Sequence, residues 1–381
     1  MFPTRNAPWL CAAKLVCCCL TGALLITGCG RAGDAAPVVE IGVIAPFEGL
    51  GRPLGYAVLP AIQEVLSEAN SQGGAGVAIG GTRSLRVALV ALNDDLYGPT
   101  ALAQAEALAQ HQNLVGAVGL WSDEVAMYAS PALRAAGIPV LVPIPAGNGT
   151  PGIYSLCPSA AEVAAALVER AIRIGETPII LAGAPGAVAD AVRAAGVGEQ
   201  EAGGSVWVDC IRTIGHQGEA QVNTPEGGAP APATDLCADP CAGSAPDCRA
   251  TVLYTGSAAA AADDLVRWRT AGWQGAFLGG PELARPWLVQ RAGNAAEGTE
   301  AVVCSDASGD TQAGDPSLDG EAEVARAGTE VLLRAIARDV AAHGVPTRAG
   351  VSSQLLNETL ARSLGWLLVR DGRWVAVGDG S

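Results

Sequence analysis

From residue 38 onward, short apolar runs alternate with apolar stripes at helical spacing. Val38–Pro46 (VVEIGVIAP) is a nearly unbroken apolar run closed by proline, the pattern of a strand buried on both faces. Val58, Ala61, Ile62, Val65, Leu66 and Ala69 then share one face of a helix. Leu85–Leu92 predicts a second strand, and Pro99–Gln112 a helix with proline in its first turn, where its missing N–H costs nothing. Leu114–Trp121 predicts a third strand, Asp123–Ala136 a helix and Ile138–Ile144 a fourth strand. Such alternation specifies an α/β fold with a parallel sheet, and this stretch completes one doubly wound lobe.

A second lobe follows the loop at Ala146–Gly152. Ser159 and Glu162 have the spacing of a capping box ahead of a Val163–Ile174 helix. Strands are expected at Pro178–Ala182, Val206–Ile211, Thr251–Tyr254 and Ala276–Leu278, with helices near Val188–Ala195 and Ala258–Thr270. Between Gly215 and Arg249 the periodicity disappears into Gly, Pro, Ala and Cys, which reads as a loop or insertion held by disulfides. Glu321–Ala342 is a long amphipathic helix. Leu367–Val377, around Asp371-Gly372, reads as a hairpin with a type I′ turn.

The first residues have a different pattern. Basic Arg5 and Lys14 precede an apolar run from Leu15 to Ile26, too short to span a bilayer. Leu25-Ile26-Thr27-Gly28-Cys29 then looks like a bacterial lipobox, making residues 1–28 a signal peptide and Cys29 the lipid-bearing start of the mature chain. The alternatives are an ordinary secretory peptide with a coincident cysteine, or an uncleaved anchor. Cys11, Cys17, Cys18 and Cys19 would leave with the signal. Cys157, Cys210, Cys237, Cys241, Cys248 and Cys304 would remain in a disulfide-permissive location, with 15 possible pairings. Cys237, Cys241 and Cys248 could be metal ligands, but no histidine lies near them and a disulfide-stapled loop is the better reading.

Composition narrows the function. The 381-residue chain is longer than one core comfortably serves, so two lobes are expected. The formal net charge of −15 disfavours nucleic acid and anionic lipid headgroups as partners. Lys14 is the only lysine, which excludes Schiff-base chemistry from a mature chain. Motifs for bond-making are missing: there is no nucleophile elbow, phosphate loop, His-Glu-x-x-His helix or dinucleotide glycine fingerprint. His111, His216 and His343 read as surface residues, and Asp94-Asp95 as a strand-end turn. Neither an enzyme, a metal nor a cofactor is expected. What remains are loops at the carboxyl ends of strands, where open α/β sheets hold ligands: Phe47–Tyr56, Trp121–Glu124, Pro143–Gly149 and Gly279–Ala284. The last places Glu282 just past a strand, where an acid is either surface decoration or a ligand contact.

From Val38 onward the chain resembles the type I periplasmic binding proteins of the leucine/isoleucine/valine-binding family, the solute receptors of branched-chain amino acid ABC transporters. The resemblance rests on Ile41-Gly-Val-Ile-Ala-Pro46, Glu68-Ala-Asn70-Ser-Gln-Gly73-Gly74, Asp94-Asp95, Val115-Gly-Ala-Val-Gly119, Ala129-Ser-Pro131 and Ala136-Gly-Ile-Pro139. In the second half it rests on Gly280-Pro-Glu282 and Ala292-Gly-Asn-Ala-Ala-Glu-Gly298. It implies two doubly wound α/β lobes joined by a three-crossover hinge that closes on a ligand. Residues 29–37 would be a linker, 38–150 and 305–348 lobe one, and 151–304 and 349–381 lobe two, with 215–249 a Cys-rich insertion.

The resemblance also assigns a ligand site. Glu282 would hold a ligand ammonium by a charge-assisted hydrogen bond, with Ala146, Gly147 and Asn148 also near the ammonium. The family's carboxylate-gripping serines correspond to Ser122-Asp123-Glu124, its first-loop aromatic to Leu54, and a lobe-two tyrosine to Ser257. Its lobe-one disulfide is replaced by Tyr97 and Ser122. Asp123 and Glu124 would repel a ligand carboxylate: either both acids face solvent and backbone amides hold the carboxylate, or the ligand is no α-amino acid but an amide, a cationic amine or a polyol, or the cleft binds nothing. The implied protein is a monomeric extracytoplasmic lipoprotein that delivers a small polar solute to an ABC permease. A regulatory or scaffold envelope lipoprotein with a degenerate cleft is the alternative. Substituting Cys29→Ser should move the protein from the membrane fraction to the soluble fraction on cell fractionation; continued membrane retention would defeat the lipobox reading.

Overall fold

The computed structural model describes residues 38–71, 85–145, 151–176, 178–201, 207–213, 221–222, 249–305, 316–358 and 363–377. Five parallel strands form the first sheet in the order β2-β1-β3-β4-β5: β1 (Val38–Ala45), β2 (Arg86–Asn93), β3 (Leu114–Gly119), β4 (Val140–Val142) and β5 (Ile153–Ser155). β1 lies inside the sheet, between β2 and β3, and shows why both faces are apolar. Val39, Ile41, Val43 and Ala45 face one layer, where α1 (Arg52–Ser71) contributes Leu54, Val58 and Ile62. Ile44 faces the other, against Ala101, Ala105 and Leu108 of α2 (Gly98–Ala109) and Val125, Ala129 and Leu133 of α3 (Asp123–Ala135). The period of two within the strand sorts these side chains between the layers.

The second sheet has the order β13-β12-β11-β10-β9-β6-β7-β8. Its parallel centre is β6 (Ile179–Gly183), β7 (Trp207–Thr213), β9 (Thr251–Thr255), β10 (Phe277–Gly279) and β11 (Glu300–Ser305), with β8 (Gln221–Val222) antiparallel on β7. α4 (Ala160–Ile174) and α5 (Ala187–Glu201) cover one face. α6 (Ala258–Thr270) and α7 (Pro286–Ala292) cover the other, around Tyr254, Trp268, Trp273 and Phe277. The Ser159/Glu162 capping box forms as expected. So does the hairpin of β12 (Ser363–Arg370) and β13 (Arg373–Val377), turning through Asp371 and Gly372 with φ of 53° and 68°.

The long helix α8 (Pro316–His343) returns to the first lobe and packs beside α1, and α9 (Arg348–Leu355) packs on β3. β5, β8, β11, α7 and α9 have no counterpart in the sequence-based elements, and β8 lies within the stretch read as a loop or insertion. β5 extends the first sheet past the expected limit at 150, and α9 lies against that sheet although the division at 348 puts it in lobe two. Arg348 anchors α9. Its guanidinium donates to the carbonyls of Leu114 (2.9 Å), Ala136 (2.8 Å) and His111 (2.6 Å), tying the start of β3 to the chain just after α2 and α3. Among the described residues no helix is long and apolar enough to cross a membrane.

Two of the crossovers between lobes are covalently joined. Cys157, between β5 and α4, is bonded to Cys304 near the end of β11, across a sequence separation of 147. This fixes one bond of the connectivities the sequence leaves open. Cys210 is on β7, while Cys237, Cys241 and Cys248 lie outside the described residues. A loop of that length implies about 4–5 kcal/mol of chain-entropy stabilisation. The double variant C157S/C304S is therefore expected to melt several degrees lower in calorimetry; an unchanged melting temperature would show that the bond does not stabilise the fold.

Candidate functional site

In open parallel sheets, ligands bind beyond the carboxyl ends of strands where strand order reverses. That point falls between β1 and β3 in the first lobe, and between β6 and β9 in the second. Each has a glycine that permits close approach. Gly119 ends β3 at φ 151°, where a Cβ would overlap the Ile44 carbonyl of β1. Gly183 ends β6 at φ 111°, where a Cβ would overlap the Thr255 carbonyl of β9. Beyond Gly119, the fully buried Leu120 takes the left-handed conformation (φ 66°), a strained exit that turns the chain sharply into α3.

At the start of α3, Ser122 is the N-cap and its Oγ accepts from the Val125 N–H at 3.2 Å. The Asp123 N–H belongs to the first turn, where amides have no partner within the helix. Its partner comes from the other lobe: Glu282 Oε1 accepts a hydrogen bond from it, between residues 159 positions apart. Glu282 is presented by a tight turn after β10, in which the Leu283 N–H donates to the Gly280 carbonyl at 3.0 Å. The Asp123 carboxylate crosses to lobe two, so close to Gly186 before α5 that a Cβ there would collide with it.

Arg285 follows on the same turn, its side chain 3% exposed. It forms an ion pair with Glu321 of α8 and donates to the Trp121 carbonyl at 3.4 Å, while Trp374 Nε1 donates to the Arg285 carbonyl at 3.0 Å. Asp123 and Glu282 thus converge on a crevice whose nearby arginine is already paired. Burial pushes the Glu282 carboxyl up to about 8, and the charge of Asp123 adds to the shift. The Asp123 amide and Arg285 pull the other way without compensating. Burial also pushes Asp123 up to about 6. Desolvation dominates because few partners replace the lost water.

The remaining sequence candidates are dispersed. Glu124 is exposed and accepts from the Gly98 N–H at 3.1 Å, at the start of α2. Leu54 is fully buried in the core, where α1 packs on the sheet. Ser257 is an exposed N-cap, its Oγ accepting from the Ala260 N–H at 3.3 Å. Ala146, Gly147, Asn148 and Cys29 lie outside the described residues. Asp94 and Asp95 do form a turn: Asp94 Oδ1 accepts from the Leu96 N–H at 3.0 Å, and Asp95 and Leu96 are left-handed. His111 pairs with Glu40 at 2.9 Å and His343 with the buried Asp339 at 2.6 Å, both at helix ends. Among the described residues no group of three His, Cys, Asp or Glu side chains is placed to hold a metal ion. Sequence reasoning missed Arg285 and Gly186. Arg285 had a signal, a lone charge within Leu-Ala-Arg-Pro-Trp, where an arginine between apolar neighbours needs a buried partner.

The fold has known relatives among solved structures. Among curated proteins none matches by sequence. The fold is similar to that of a leucine-binding protein from Thermotoga maritima, at 16% identity, covering 89% of this chain and 98% of that one with a TM-score of 0.66. It is also similar to a possible leucine/isoleucine/valine-binding protein from Rhodopirellula baltica (15% identity, 92% and 98% covered, TM-score 0.65). A third is an R. palustris solute-binding protein of an ABC transporter in complex with benzoate (19%, 90% and 96%, TM-score 0.58). The family model described as "Periplasmic binding protein" matches residues 38–312, most of the chain and both switch points, and the chain therefore belongs to the periplasmic binding protein family.

Proposed function

We propose that this chain is the extracytoplasmic solute-binding component of an ABC importer, held to the membrane through a lipid on Cys29 and closing its lobes on an amino acid or related small polar solute. The reading is carried by one observation: Glu282 of lobe two and the Asp123 N–H of lobe one meet across the crevice between the two switch points. A group bound there touches both lobes at once, so its binding energy is available to hold them together. The similar structures include proteins named for binding leucine and one holding benzoate, which fits a small solute as cargo. Binding needs no bond to form, and the mechanism is capture alone.

The charges in the crevice favour a solute with a cationic head on Glu282 and no carboxylate beside Asp123. Two like charges about 4 Å apart repel by roughly 4 kcal/mol at an effective permittivity near 20, and an opposite charge gains as much. The second reading, a scaffold lipoprotein whose lobes close without cargo, draws on the close seating of Asp123 against Gly186.

The discriminating experiment is a thermal-shift screen of amino acids, amino-acid amides, amines and polyols, followed by calorimetry on hits. At 100 times its dissociation constant a true ligand stabilises by about 2.7 kcal/mol. Amides and amines should bind at least tenfold tighter than the corresponding zwitterions, and Glu282→Ala should abolish the shift. If none of these classes stabilises the protein, the scaffold reading replaces the transport one.

A further inference from the structure

The β12–β13 hairpin at the edge of the lobe-two sheet is apolar on both faces, and only one face is fully packed. Leu367, Val369 and Trp374 point into the core beside α7 and α8. On the opposite face, cross-strand pairing sets Trp366 against Val377, Leu368 against Val375 and Arg370 against Arg373. Leu364 and Trp366 pack on the core that α4 covers. Leu368, Val375 and Val377 belong to neither core and stay half-buried. They floor a cavity of about 360 Å³, walled by Arg170 of α4 and Glu300 of β11 and ending at Arg370. From this arrangement we propose that the edge of lobe two is a second binding site, taking a medium-chain carboxylate that lies along the hairpin with its head on Arg370 and Arg373.

The charges select the head of the ligand. Arg170 is already engaged: its Nε and one Nη donate to the two Glu300 oxygens at 2.8 and 3.0 Å, a fork that makes a neutral wall. Arg370 and Arg373 are both exposed, and neither side chain bonds another group among the described residues. Like charges directly opposite each other on paired strands are destabilising. An anion between the two guanidinium groups removes that cost, and the planar fork of arginine suits a carboxylate. The acids of the turn do not fill this role. Glu297 accepts from the Asp371 and Gly372 amides at 3.1 and 3.4 Å, and Asp371 is exposed with no guanidinium partner. The net charge of −15 acts weakly here, because exposed charges beyond about 8–10 Å are screened at physiological salt.

The floor selects the body. From Arg373 to Val377 the strand runs four residues, about 14 Å, over aliphatic side chains that offer no hydrogen bond. A polyol or a dicarboxylate would leave polar groups unpaired there, whereas an acyl chain gains by leaving water. The cavity is of the size that holds a small ligand. It lies on the α4 face of the sheet, while the Glu282 turn leads into α7 on the other face, so this site is separate from the crevice and independent of the transport reading.

Isothermal titration calorimetry with sodium octanoate on the purified full chain tests the site. One octanoate should bind per chain. Acetate, which lacks the body, and 1-octanol, which lacks the charge, should bind at least tenfold more weakly. Arg370→Glu should weaken octanoate by about tenfold to a hundredfold, the cost of a lost charge-assisted hydrogen bond. Val375→Asn, which keeps both arginines and spoils the floor, should weaken it by about tenfold. Without octanoate, Arg370→Glu sets opposite charges across the strands and should melt no lower than the wild type, which separates lost binding from lost fold. If that variant fails to fold, Val375→Asn carries the test. Absence of octanoate binding would overturn the inference, as would equal binding of 1-octanol. Wild-type affinity in a folded Arg370→Glu or Val375→Asn would place the octanoate elsewhere and overturn it as well.

Discussion

The unsatisfied amide at the first turn of α3 is the constraint around which the crevice is organised. A helix cannot satisfy its own first N–H groups, so something outside it must. Ser122 takes one within lobe one. The Asp123 amide is left facing the gap between the lobes, and Glu282 meets it from the far side. The two lobes are therefore linked by an obligation of backbone hydrogen bonding as well as by charge. Removing the carboxyl would leave a donor poorly paired at the point where the lobes approach, a cost of about 1–3 kcal/mol for a buried group.

Much of this architecture is legible in the sequence because it rests on local rules. The Ser159/Glu162 box, proline in the first turn of α2 and the Asp371-Gly372 turn each depend on a few adjacent residues, and each forms as read. The alternation of β1 likewise needs no partner to be recognised. β5 and β11 are harder: Ile153–Ser155 is only three residues long, and Glu300–Ser305 is specified by its antiparallel pairing to β12, more than sixty residues on. Leu54 shows the limit of positional transfer. Its place in the chain resembles a ligand contact, yet an aliphatic side chain at that point of α1 is drawn fully into the core.

The site was legible in its components but not in their pairing. An acid just past a strand end and two acids at a helix start are visible as letters. That one carboxyl would bond the other lobe's backbone, while its neighbour Arg285 turned to Glu321, depends on how two lobes far apart in sequence meet. The disulfide has the same character. Cys157 and Cys304 are ordinary cysteines among six until the two crossovers are laid side by side.

The disulfide and Glu282 connect the two lobes at different places. Cys157–Cys304 joins the strand leaving lobe one to the strand leaving lobe two, so these crossovers cannot slide past each other without breaking a covalent bond. Sliding is the motion that would misalign Glu282 from the α3 amide, because a hydrogen bond weakens steeply as its geometry degrades. Bending about the paired crossovers remains available, since it changes their direction without separating the sulfurs. The disulfide thus joins the two crossovers, and the Glu282 carboxyl joins the lobes at the start of α3.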